Sequence, residues 1–408
     1  MAASLWGKVY YDDTYAGELR QEPGGRCVFT YDRTYLAEQQ PEIAFTLPRN
    51  AEPFYCEQGL HPFFDNLVSE GWLRNAQARS LKINPENRFA MLLAFGHDCA
   101  GAVSVRDPNP IAEPALDLTD PATAAALASR ASLSGIQPKI FVVEDGKGFR
   151  PARRDEISTF IAKLPSGSLR DIIENEYLTT IANRALLPDD EFVELKIATV
   201  EGVDGRALLV RRFDRRLRGG KIHFEEFNQL LGRRSGDDKY DASYDDMAAF
   251  MRTQSSQAEA WRLYRRILVC FLTGNTDAHL KNFAMFHGRG GLSLTPAYDL
   301  VAAALYPEYR QLALKIGNAA LSLSDLKPKH LSVLAQAFGL GAEILLETIG
   351  QLDRRRRAAE KSIADSAKAA GAEALGQSLI DLMEHRWNGT FALTGQFLSK
   401  KRPDDGAD

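Results

Sequence analysis

The stretch VCFLTGNTDAHLKNFAMFHGRGGLSLTPAYDLV, Val269 to Val301, decides how the rest of this chain is read. It opens on an apolar run, passes through the polar cluster Asn275, Asp277, His279, Lys281 and Asn282, and then alternates across a glycine-rich turn. Placing the turn at Gly288 to Gly291 pairs Phe283 to Phe286 with Leu292 to Thr295 as an antiparallel hairpin. Asn282 and Asp299 then lie near the same open end. An amide oxygen and a carboxylate converging at one point suit a hard divalent cation, Mg²⁺ above all, which takes few protein ligands and fills its octahedron with water and phosphate oxygens. Asp277 stands five positions before Asn282, close enough to share the site. A base, an Asn metal ligand and a later Asp metal ligand, in that order, form the catalytic half of a kinase. Taken singly, Asp, Asn and His before a strand read as Asx-turn residues. The ordered set D-x-H-x-x-N, hairpin, Y-D points to phosphoryl transfer.

Working outward, 408 residues suffice for two or three domains with sizeable cores. A formal charge of −4 argues against a dedicated polyanion binder. Cys27, Cys56, Cys99 and Cys270 are scattered, without C-x-x-C spacing or a nearby zinc-ligand His, so they read as reduced thiols and favour the cytoplasm. The start MAASLWGKVYYDD lacks an apolar signal core and no run approaches a membrane span, so a soluble protein is expected.

Residues 1–105 read as a small β-rich domain. Leu5 to Tyr11, Tyr15 to Leu19 and Arg26 to Tyr31 are strand-like, Ile43 to Leu47 adds another strand, and Phe63 to Ala78 and Arg88 to Phe95 are helical. Residues 106–130, rich in Pro, Ala and Asp, form the expected linker. Residues 131–215 carry SLSGIQPK (Ser132 to Lys139) before a strand at Ile140 to Val143, a second strand with Lys163, a helix Asp171 to Leu187 with Glu174 and Glu176, and a strand Ala207 to Val210. Small hydroxylated residues, one Gly and a Lys suit a phosphate-binding loop. Strand Lys followed by helix Glu is the order in which kinases orient the Lys toward phosphates, and helix phase leaves either carboxylate open for that role. The Arg-rich run from Arg211 to Lys221 reads as a solvated surface, as does Arg354 to Arg357. Residues 216–400 are mainly helical, and 401–408 form a tail.

With these residues located, the chain resembles the HipA family of serine/threonine kinases, the toxin halves of bacterial toxin–antitoxin pairs. The pieces carrying the resemblance are FFDNLVSEGWLR (Phe63 to Arg74), SLSGIQPK, IAKLP with Lys163, NEY (Asn175 to Tyr177), VRRFDR (Val210 to Arg215), NTDAHLKNF and LTPAYDL, all in the family's order. The resemblance implies an α+β, two-lobed protein-kinase-like fold with a small N-terminal β-rich subdomain and a mainly helical C-terminal lobe. It implies that Asp277 is the catalytic base and that Asn282 and Asp299 hold Mg²⁺. Ser134, Gly135, Ile136, Gln137, Pro138 and Lys139 would form the ATP phosphate loop, with Lys163 on the α and β phosphates. Arg211, Arg212 and Phe213 would lie by the adenine, His279 and Lys281 would border the γ-phosphate, and Tyr298 would join Asn282 and Asp299 among the ATP-binding residues. Either Ser132 or Ser134 would be autophosphorylated, silencing the kinase.

Implied partners are a small HipB-like helix-turn-helix antitoxin, DNA through that antitoxin, and an aminoacyl-tRNA synthetase as substrate, so that blocked translation favours dormancy. D-x-H-x-x-N also resembles the loop of aminoglycoside and choline phosphotransferases, which leaves a small-molecule kinase as the alternative, and a catalytically silent ATP-binding scaffold bridging antitoxin dimers as a further one.

Overall fold

The computed structural model describes residues 5–109, 137–153, 156–216 and 219–400. Ser132, Ser134, Gly135 and Ile136 lie outside the described residues, as do most of the expected linker and the tail. The chain divides into two compact units, residues 1–166 with 194–239, and residues 167–193 with 240–408. This division differs from a single boundary at residue 215. The helix Ile172–Leu186 is buried on most of its sides and packs along the long helix Ala342–Ala370, so it belongs with the C-terminal helices.

The N-terminal unit holds two antiparallel sheets. The first has the order β4-β3-β2-β1-β5, from β1 (Trp6–Tyr11), β2 (Thr14–Gln21), β3 (Cys27–Tyr31), β4 (Phe54–Cys56) and β5 (Val103–Arg106). Alternation in β3 turns Cys27, Phe29 and Tyr31 inward onto Phe63 and Phe64. Ile43 to Leu47, expected as a strand, is instead a tight turn closed by Leu47 N–H on Ala44 O at 3.1 Å. The Tyr31 hydroxyl fixes that turn, accepting from Ile43 N–H at 3.0 Å and donating to Leu47 O at 2.5 Å. The single helix expected over Phe63 to Ala78 is broken into Pro62–Asn66 and Gly71–Leu81, because Gly71 enters the second helix with φ of 58°.

The second sheet has the order β7-β6-β8-β10-β9, from β6 (Lys139–Glu144), β7 (Phe149–Pro151), β8 (Phe160–Lys163), β9 (Leu195–Ala198) and β10 (Ala207–Arg211). Leu73 enters its core beside Ile140, Val142, Phe160 and Leu209, so the first hundred residues share packing with this sheet.

A buried charge network completes that union and corrects the reading of the Arg-rich run as solvated. The Arg212 guanidinium donates to Asp98 at 3.0 Å, to Asp214 at 3.0 and 2.9 Å, to Ser158 Oγ at 2.7 Å and to Cys99 O at 3.1 Å. Arg215 donates to Asp98, to Asp214 at 2.8 Å, and to the carbonyls of Cys99 and Gly101 at 2.8 and 3.1 Å. Both arginine side chains are 2% exposed, so each positive charge must be met locally. Burial alone would push the Asp98 carboxyl up, but Arg212, Arg215 and Lys221 outweigh it and hold it well below the usual carboxylate range. Asp214 is depressed too, its burial outweighed by Arg212 and Arg215.

Removing Arg212 leaves two buried carboxylates to share the single guanidinium of Arg215. Arg212→Met is expected to lower unfolding free energy by about 3–5 kcal/mol in urea titrations at neutral pH. Because the depressed carboxyls stabilise the fold only while ionised, this contribution is present above the unfolded carboxylate pKa of about 4 and is lost as pH falls below it. The difference between wild type and Arg212→Met should therefore shrink in the same titrations at acid pH.

Candidate active site

In the C-terminal unit the helix Gln257–Thr273 leads into the candidate catalytic stretch. It ends at Gly274, whose φ of 77° is a left-handed cap, and Asn275 N–H folds back onto Cys270 O at 2.8 Å. Thr276 Oγ donates to Tyr309 O at 2.5 Å, and the Tyr244 hydroxyl donates to Ala278 O at 3.1 Å. His279 caps the short 3-10 turn Leu280–Asn282: its Nδ1 accepts from Lys281 N–H, and its own N–H meets Asn282 Oδ1, both at 3.3 Å. An accepting Nδ1 leaves the neutral ring's proton on Nε2. The loop's backbone is thus fixed by its own side chains and by Tyr244.

The hairpin forms as the sequence predicts. β12 (Ala284–Gly288) pairs with β13 (Gly291–Leu294) in the register Met285 to Leu294 and Gly288 to Gly291. It is fastened to the helix Gln257–Thr273 by Glu259, which accepts from Leu294 N–H at 2.7 Å, and by Arg266, which donates to Thr295 O at 2.7 Å. Arg266 is held in turn by both oxygens of Asp190, at 2.8 and 2.7 Å. Burial raises the Asp190 carboxyl, but Arg266 and Arg262 outweigh it and the group sits below its ordinary value.

That scaffold sets Asp299 against Asn282. The Asn282 side-chain amide donates to Asp299 Oδ2 at 3.0 Å, and Tyr298 Oη donates to Lys281 O at 2.8 Å. Asp299 has φ of 57°, a left-handed conformation that an L-residue keeps only when its surroundings impose it. Those surroundings include Asn175, whose amide accepts from Ala302 N–H at 2.8 Å and donates to Ala302 O at 3.2 Å, just beyond Asp299. An amide oxygen and a carboxylate are the donors that magnesium prefers, and here Asn282 turns its nitrogen to Asp299 and its oxygen to His279 N–H, so holding an ion would require the amide to turn. Asp277, Asn282 and Asp299 thus all belong to one unit, with Asp277 half-buried on the loop that Asn282 closes. Asp277 Oδ1 accepts from the Tyr240 hydroxyl at 3.1 Å.

The other expected contacts lie in the N-terminal unit. Gln137 donates to Leu164 O at 2.8 Å, and Leu164 N–H donates to Pro138 O at 2.8 Å, which seats the end of the expected phosphate loop on β8. Lys139 and Lys163 are directly opposed across β6 and β8. Two ammoniums at opposed positions repel, and an anion such as a polyphosphate favours both. The Arg212 side chain is withdrawn from the adenine contacts implied by the resemblance, since the buried Asp98 and Asp214 network holds it, and its N–H already donates to Thr159 O at 2.9 Å. Arg211 N–H likewise donates to Glu194 O at 2.8 Å, while Phe213 is half-buried against Phe224. Of the two helix glutamates, Glu176 is buried and Glu174 half-exposed. Nothing in the local pattern of Tyr240, Tyr244 and Asp190 marks them in the sequence, and Asn175 enters there only as the first residue of NEY.

A model of the HipA N-terminal domain matches residues 7–106, and one of the HipA-like C-terminal domain matches residues 131–371. The chain belongs to the HipA family. Among its relatives, the Sinorhizobium fredii protein Y4dM, named as a kinase, is 28% identical over 372 residues, covering 85% of this chain and 90% of the relative. The Shewanella oneidensis serine/threonine-protein kinase toxin HipA is 28% identical over 338 residues, 72% of this chain and 74% of the relative. A chain in the solved complex of HipA, HipB and operator DNA from Shewanella oneidensis superposes with a TM-score of 0.74 at 22% identity, over 96% of this chain and 99% of that one. The fold is therefore the α+β kinase-type fold of HipA, and the protein is a HipA-family kinase. Among the described residues no helix is long and apolar enough to cross a membrane.

Gly274 tests how far the loop depends on its helix cap. A Cβ there would lie 2.4 Å from Leu382 Cδ2, and φ of 77° strains any L-residue. Gly274→Ala is expected to cost about 1–3 kcal/mol, read as a lower melting temperature.

Proposed function

We propose that this protein transfers the γ-phosphoryl group of ATP to a serine or threonine hydroxyl of another protein. The observation that carries the reading is the Asn282 to Asp299 contact of 3.0 Å on the frame that also presents Asp277. Asp277 orients the incoming hydroxyl and accepts its proton. Gln137, Pro138, Lys139 and Lys163 receive the nucleotide's phosphates, together with Ser134, Gly135 and Ile136. The segment Arg211 to Phe213 lies by the adenine and offers it the Phe213 backbone and ring. His279 and Lys281 border the γ-phosphate, and Tyr298 steadies the loop through Lys281. A magnesium ion held by Asn282 and Asp299 would supply charge neutralisation across the phosphates.

The kinship with the Shewanella toxin supports the finer reading that the protein is the toxin of a toxin–antitoxin pair. Its partner would be a HipB-like helix-turn-helix antitoxin that carries the DNA contact, as the solved complex of HipA, HipB and operator DNA suggests by analogy. Its substrate would be an aminoacyl-tRNA synthetase, and Ser132 or Ser134 would be the site of inactivating autophosphorylation.

Since positioning and electrostatics supply most of phosphoryl-transfer catalysis, Asp277→Ala and Asp299→Ala should each lower transfer from γ-labelled ATP by about 10²-fold or more while remaining folded. Full transfer by either variant overturns the assignment. Phosphoproteomics after induction of wild type against Asp277→Ala is expected to return one dominant phosphoserine on the substrate and one at Ser132 or Ser134.

A further inference from the structure

We infer that Tyr240 is the positioning residue for the catalytic base, holding the Asp277 carboxylate in its ionised, substrate-facing state; this deepens the kinase reading and rests on it. Residues 240–244, YDASY, run beside the catalytic loop, and tyrosines at both ends grip it. Tyr244 is fully buried, and its hydroxyl holds Ala278 O at 3.1 Å. Tyr240 sits on the rim, 36% exposed, and its hydroxyl donates to Asp277 Oδ1 at 3.1 Å.

The segment itself is anchored. Tyr244 N–H donates to Lys315 O at 2.9 Å, and Ser243 and Asp246 form a capping box at the start of the helix Tyr244–Gln254. The Tyr240 ring meets the His279 ring edge-on, with centroids 5.1 Å apart and planes at 78°. A ring clamped in that way brings its hydroxyl to the carboxylate with little freedom left to lose.

The chemistry follows from the donor. A phenol giving its proton to a carboxylate favours the charged form, which is the form able to accept a proton from the substrate hydroxyl. A carboxylate has about four lone-pair sites, so the bond from Tyr240 leaves room for the substrate hydroxyl. The partial exposure of Tyr240 places it where a hydroxyl-bearing protein segment would arrive. Other titratable or charged groups on these elements are Asp241, Tyr244, Asp245, Asp246, Arg252, His279, Lys281 and Asp299, none of which Tyr240→Phe alters.

The test uses the full-length chain and Tyr240→Phe, which keeps the ring on His279 and removes only the hydroxyl. Phosphate incorporation from γ-labelled ATP should fall on the order of tenfold at neutral pH, with the KM for ATP unchanged. The acidic limb of the pH–rate profile should move to higher pH. Carbon-13 NMR of aspartate-labelled protein, with Asp277 assigned through Asp277→Asn, should show the Asp277 carboxyl titrating at higher pH in Tyr240→Phe. Transfer in wild type with an unmoved Asp277 titration in the variant overturns the inference. A rate loss without movement of the acidic limb does so too, because it assigns Tyr240 a merely structural role. An Asp277 titration that shifts in a wild type and variant that both lack transfer sustains the Tyr240 to Asp277 coupling and overturns the kinase reading instead.

Discussion

A guanidinium taken out of water must meet carboxylates or carbonyls, and each unit of this chain is organised around that demand. In the N-terminal unit Arg212 and Arg215 answer Asp98 and Asp214 and draw the first hundred residues onto the second sheet. In the C-terminal unit Arg266 answers Asp190 and, through Thr295 O, fixes the hairpin that sets the direction of Asp299. Breaking such a pair leaves an uncompensated buried charge, so these contacts restrict the fold more tightly than apolar packing of equal area would.

The candidate site residues inherit their geometry from that framework. Asp277 and Asn282 lie on a loop whose backbone is closed by the cap at Gly274, by His279 and by the hydroxyls of Tyr244 and Tyr298. Asp299 keeps a left-handed backbone between the hairpin and the Asn175 clamp on Ala302. Strain held at one functional residue by a surrounding hydrogen-bonded frame is a form of preorganisation, and phosphoryl transfer relies on preorganisation more than on covalent chemistry.

Much of this was legible in the sequence, because the relevant signals are local. The two-residue hairpin turn, the strands flanking it and the long helices declare themselves by glycine placement and by periodicities of 2 and 3.6 residues. Ile43 to Leu47 misleads because its apolar residues are buried by a turn that the Tyr31 hydroxyl satisfies, a partner twelve or more positions away. The Arg-rich run misleads for the same reason: its charge looks solvated until Asp98 is brought to it by the fold. Arg354 to Arg356, by contrast, do sit on a helix surface, paired with Glu347, Asp189 and Asp353. Tyr240 carried no signal, since a lone tyrosine in a polar connection has no period to betray it.

Asp98 lies 114 positions before Arg212 and 117 before Arg215, across the stretch where a linker was expected. The consequence concerns heredity as much as stability. The opening subdomain cannot be exchanged for an unrelated module without leaving two cations to share Asp214 alone in the remainder. Gene fusion or domain shuffling at that seam would succeed only where the incoming piece carries its own acid to the same spot.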